Sequence, residues 1–167
     1  AIAVAFLASA ALWWLYFDYV ATIAQRRLDL ADDRGRLARD AYTYLHIPMI
    51  AGIIVSAVGD ELVIAHPREH LSAAELAAVA GGPAVYLLGH VGFRLRMAGT
   101  LSVKRLVTAG AIGIAGALGA WLPALETASL VLAVLVTLIG WELLAARQRR
   151  AQGLPSPLEQ LESTGSQ

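Results

Sequence analysis

Five stretches of mostly apolar residues, each near the length a helix needs to cross a hydrocarbon core of roughly 30 Å, govern what this chain can fold into. They cover about 1–24, 41–65, 73–97, 106–122 and 124–146. The first is interrupted only by Ser9, Asp18 and Thr22 and stops at Gln25-Arg26-Arg27. The second follows the charged run Arg26 to Asp40 and ends in Asp60-Glu61 and then His66-Pro67, where proline blocks an easy continuation. The third opens after Ser72, which stands three residues before Glu75 in capping-box spacing, and its Gly81-Gly82-Pro83 loosens or kinks the outer third. Only Trp121-Leu122-Pro123 separates the last two, which makes them antiparallel neighbours. Residues 147–167, rich in Gln, Ser, Pro and Gly, read as a flexible cytoplasmic tail. The expected fold class is therefore all-α, a polytopic transmembrane helix bundle with five spans.

Composition agrees with the bilayer. The chain is 57% hydrophobic and only 16% charged, against about 25% charged in a soluble domain. Thirteen bases balance thirteen acids, which leaves no basic arm for a nucleic-acid partner, and the absence of cysteine removes thiolate metal sites and thiol nucleophiles. Basic residues also fix an orientation, because cytoplasmic loops are enriched in Lys and Arg. Arg26, Arg27, Arg34, Arg36 and Arg39 follow the first span; Arg94, Arg96, Lys104 and Arg105 follow the third; Arg147, Arg149 and Arg150 follow the fifth. Against them stands Arg68 after the second span and none after the fourth. This pattern puts the C-terminus in the cytoplasm. The chain opens with Ala1 inside an apolar run, so it is expected to be a piece of a longer protein whose remaining half is a partner alongside the bilayer.

Small residues mark where helices approach closely in lipid. The fourth span carries Gly110, Gly113, Gly116 and Gly119; the second carries Pro48, Gly52, Ser56 and Gly59; the third carries Gly82 and Gly89. No strand precedes the glycine series and the G-x-G-x-x-G spacing is absent, so these are packing faces rather than a dinucleotide loop.

Ionisable groups within the spans call for an explanation, since charge in hydrocarbon is costly. At about 1.5 Å per residue, Asp18, His46, His90 and Glu142 all fall roughly 6 to 12 Å inside the cytoplasmic boundary. Tyr16, Tyr42, Tyr44, Trp14 and Trp141 accompany them. Such a layer can handle protons or ions, with a histidine titrating against Asp18 or Glu142. The alternative is that these groups pair and fix helix register, or that those nearest the boundary, Glu142 and His90 foremost, reach the interface beside their Arg and Trp neighbours. Asp60 and Glu61, at the outer boundary, either gather cations at an entrance or are solvated acids at a helix end. His66-Pro67-Arg68-Glu69-His70 matches H-x-x-E-H formally, but Pro67 denies His66 a regular helix and no third ligand stands out. No metal, cofactor or catalytic constellation is expected, and the chain reads as non-enzymatic.

Four strings carry more than composition: Trp13-Trp14-Leu15-Tyr16-Phe17-Asp18, Tyr42-Thr43-Tyr44-Leu45-His46-Ile47-Pro48-Met49-Ile50-Ala51-Gly52-Ile53, Ala57-Val58-Gly59-Asp60-Glu61 and Gly81-Gly82-Pro83-Ala84-Val85-Tyr86-Leu87-Leu88-Gly89. In wording, order and spacing they resemble the bacterial low temperature requirement A family of polytopic membrane proteins. The resemblance covers about 1–146 and implies a longer protein, of which this chain looks like the C-terminal half. Asp18 and His46 fall on the family's motif positions. The function expected is that of a multi-pass inner-membrane protein with ion- or proton-coupled transport; the alternative is a structural or stress-adaptation protein whose polar layer only holds helices together.

Overall fold

The structure, a computed structural model, describes residues 1–17, 35–36 and 39–154. Among the described residues five main helices form an all-α transmembrane bundle: α1 (Ile2–Phe17), α2 (His46–Ala65), α3 (Ala73–Ala98), α4 (Val103–Leu118) and α5 (Ala124–Ala151). A π-helical turn, Arg39–Tyr44, leads into α2, and a short 3-10 turn, Gly119–Trp121, ends α4. The last four helices are long and apolar enough to cross a membrane, and α1 is apolar over its 16 described residues.

Local chemistry accounts for the helix ends. Ser72 Oγ accepts from Glu75 N at 3.4 Å while Glu75 Oε2 accepts from Ser72 N at 2.7 Å, the expected reciprocal cap at the start of α3. Pro83 has no N–H to return to the preceding turn, and a π-helical turn, Ala77–Gly81, precedes it in α3. Gly99 ends α3 at φ +65°, a left-handed conformation that glycine adopts at little cost. On the opposite end of the bundle the α2–α3 loop closes on the α4–α5 turn. Ala124 N donates to Glu69 O at 2.8 Å and Leu125 N to Pro67 O at 3.0 Å, which supplies acceptors to the first turn of α5. An isolated bridge between His70 and Pro123 joins the same two segments. Downstream, α5 carries on through Arg147, Arg149 and Arg150 to Ala151, past the hydropathy limit at 146. Arg and Gln sustain a helix well, so the edge of the hydrocarbon does not stop it.

The α2–α3 contact is the tightest in the bundle. A Cβ on Gly52 would stand 2.6 Å from Tyr86 N, and one on Gly59 would stand 2.9 Å from Val79 Cα. Gly82 lies against Ser56, and Gly89 against Met49. The small-residue faces expected of these two helices are therefore the contact surface. In α4 the series splits: Gly116 and Gly119 meet Ala80 and Thr127, whereas nothing lies within 4 Å of a Cβ on Gly110 or Gly113. Small residues permit close approach without stating which face has a neighbour.

Leu12, Leu15, Leu87, Ile112, Leu135 and Leu138 lie in the core. Outward, α2 presents Ile47, Ile50, Ile54 and Val58, all exposed, as a continuous apolar face that suits lipid and not water. Hydroxyls along the spans return to their own helix: Ser56 to Gly52 O at 2.8 Å, Ser129 to Leu125 O at 2.7 Å and Thr137 to Ala133 O at 2.7 Å. Such local pairing is how polar side chains are accommodated where water is absent.

Candidate functional site

Near the end of the bundle where α1 finishes its described course, α2 begins and α4 begins, the polar side chains converge. Val103 rather than Leu106 is the first residue of α4, so Arg105 is inside the first turn and not in the preceding loop. It is 3% exposed. Its Nε donates to Glu142 Oε1 at 3.0 Å and its Nη2 to Glu142 Oε2 at 3.1 Å, a bidentate pair between α4 and α5. The same Nη2 donates to Leu15 O of α1 at 3.2 Å. Arg105 Nη1 donates to His90 Nδ1 of α3. One guanidinium thus ties together α1, α3, α4 and α5.

That connection sets the state of His90. A guanidinium can only donate, so Nδ1 must be the accepting nitrogen and the ring carries its proton on Nε2. His90 is 1% exposed, and Nε2 has no hydrogen-bond partner among the described residues. The result is a buried N–H donor held in one tautomer by a chain running Glu142, Arg105, His90. The Tyr86 ring stands 4.4 Å from the His90 ring, and the Tyr86 hydroxyl is spent on Leu12 O at 2.7 Å.

His46 belongs to a second, adjoining pair. Its Nε2 lies 3.0 Å from Tyr16 Oη, in a hydrogen bond whose direction depends on the His46 tautomer. The Tyr16 ring stands edge-on to both histidines, 5.9 Å from His46 and 6.1 Å from His90. Phe93 packs edge-on against His46 at 5.5 Å. Unlike His90, His46 is only partly buried, at the first turn of α2.

The structure therefore brings His46, His90, Glu142 and Tyr16 into one neighbourhood, and adds Arg105, which sequence reasoning counted with the loop charges. Asp18 lies outside the described residues, as does the side chain of Tyr42. Tyr44 is exposed on the π-helical turn. Trp141 is also exposed, with Lys104 Nζ 5.0 Å over its ring, a pairing suited to the membrane–water boundary. Asp60 and Glu61 are remote from this cluster, on α2 toward its Ala65 end; Ser9 Oγ donates to Asp60 Oδ2 at 3.2 Å, and Glu61 is exposed. His66 and Glu69 pair at 3.2 Å in the α2–α3 loop. Among the described residues no group of three or more His, Asp or Glu is placed to hold a metal ion.

A family model described as the bacterial low temperature requirement A protein matches residues 1–140. The chain belongs to that family. An uncharacterised protein of Rhizobium meliloti (strain 1021) is 36% identical over 87 residues, which is 50% of this chain and 20% of that relative. The match therefore spans about a fifth of the relative's length. No solved structure matches the chain.

Proposed function

We propose that this member of the low temperature requirement A family couples the movement of protons or small ions to its work in a bacterial plasma membrane, with the C-terminus cytoplasmic. In this reading Tyr16 and His46 exchange the proton at the partly open edge of the cluster. Glu142 and Arg105 serve as a fixed frame that aims His90 Nε2–H inward. The observation that carries it is the buried His90 Nε2–H, which has no acceptor among the described residues. A cluster that served packing alone would have every buried polar atom paired, because an unpaired donor weakens the assembly it belongs to. A buried N–H with no acceptor among the described residues suits a site that receives water or an anion.

One observation favours a second reading, in which the cluster is only a clamp: Arg105 satisfies groups on three other helices at once. Proton flux separates the two. The native protein in proteoliposomes under an imposed pH gradient is expected to pass protons, and His46→Ala is expected to reduce that flux at least tenfold while the protein stays folded. Equal flux in protein-free vesicles and in those containing native protein would leave the clamp reading in place.

A further inference from the structure

Ser9 and Asp60 form a polar pair on a face of the bundle that no described residue covers. The Ser9 hydroxyl donates to Asp60 Oδ2 at 3.2 Å across α1 and α2; Ser9 is exposed and Asp60 partly buried. Its surroundings are apolar: Phe6 and Trp13 share the face of α1 with Ser9, and Ile53 and Ile64 share the face of α2 with Asp60, all four exposed. Depth follows from packing. Ala1 and Val4 pack with Val63, Leu71 and Ala124 at the loop end of the bundle, so Ser9 lies about 8 to 12 Å further in at 1.5 Å per residue. Asp60 lies more than a full turn before the end of α2. A carboxylate with one serine donor and several unused lone pairs is poorly placed against hydrocarbon tails at that depth.

We propose that the α1–α2 face centred on Ser9 and Asp60 docks a further transmembrane helix of the same polypeptide, from outside residues 1–167, which presents a hydrogen-bond donor or a cation to Asp60. Two observations choose this occupant. The match covers 50% of this chain and 20% of the Rhizobium meliloti relative, so that relative is about two and a half times as long as residues 1–167, with ample chain for additional spans. A second copy of this chain is disfavoured by charge, since Asp60 and the adjacent exposed Glu61 would face their own counterparts across a two-fold axis. The docking helix supplies what serine alone does not, a strong donor to a carboxylate shielded from lipid.

Photo-crosslinking in the native gene product tests this in its own membrane. A benzophenone amino acid is placed singly at Phe6 or Ile53, with Ile114, exposed on α4, as the lipid-facing control. The expected result is an intramolecular crosslink from Phe6 and from Ile53 to an apolar segment outside residues 1–167 that carries Lys, Arg, His, Asn, Gln, Ser, Thr, Tyr or Trp within one turn of the attachment point. Ile114 should yield lipid adducts. Lipid adducts alone from Phe6 and Ile53, a crosslinked dimer, a crosslink within residues 1–167, or a partner segment with no such side chain would each overturn the proposal.

Discussion

Replacing Arg105 by methionine removes the donor from at least four hydrogen bonds while keeping most of the side-chain volume. Glu142 loses both of its bonds to Arg105, at 3.0 and 3.1 Å; Leu15 O loses a donor at 3.2 Å; and His90 Nδ1 loses the partner that fixes its tautomer. Removing one member of a buried ion pair costs about 3–5 kcal/mol, most of it from the charge left behind. Glu142 retains 20% exposure and partly regains polar surroundings, which puts the expected cost near the lower figure, about 3 kcal/mol. The partner substitution Glu142→Gln should be strongly non-additive with it, with a coupling of about 2 kcal/mol, as befits two groups in one network. Arg105→Met with Glu142→Leu should recover much of the loss, since both charges then leave together. Reversible unfolding in mixed dodecylmaltoside–SDS micelles, followed by tryptophan fluorescence, measures the native protein and each variant. A cost below about 1 kcal/mol for Arg105→Met, with additivity in the double variant, would refute the reasoning, because that is how a solvated boundary charge behaves.

Other substitutions probe the packing and the topology. Gly52→Val drives a side chain into the backbone at Tyr86 and should destabilise by about 2 kcal/mol or more in the same micelle assay, whereas Gly110→Ala, with open space around it, should be neutral or gain up to about 1 kcal/mol. Tyr86→Phe gives up only the hydroxyl bond to Leu12 O and should cost about 1 kcal/mol, measured in the same way. For the orientation proposed above, a single cysteine at Glu69 should react with an impermeant maleimide from outside intact cells, and one at Arg149 only after the membrane is opened; the reverse pattern would invert the topology.

Much of the fold is legible in the sequence because its causes are local. The length of each apolar run reports the spans, the Ser72–Glu75 spacing reports a cap, and Gly52, Ser56, Gly59, Gly82 and Gly89 report the surface on which α2 and α3 meet. The same kind of signal overstates α4, since Gly110 and Gly113 have the composition of a contact face without a neighbour to contact. For the site, depth arithmetic singles out His90, His46 and Glu142 but places His90 and Glu142 nearest the interface, whereas His90 is buried in the bundle. What distinguishes them is Arg105, three residues into a helix whose hydropathy rises only after it. Its partner Glu142 is 37 positions away, and no periodicity connects the two. An arginine beside a span boundary reads as a loop charge until the neighbouring helices are placed around it.

The tautomer of His90 tests the central claim, that Glu142 and Arg105 hold a histidine as an inward donor, more directly than any activity. Protein labelled with nitrogen-15 histidine, at pH 7 in bilayers, should show His90 with its proton on Nε2 and a bare Nδ1. Arg105→Met should release that preference while Glu142 and His90 remain in place. A native His90 that carries its proton on Nδ1, or one indifferent to Arg105→Met, would contradict the account.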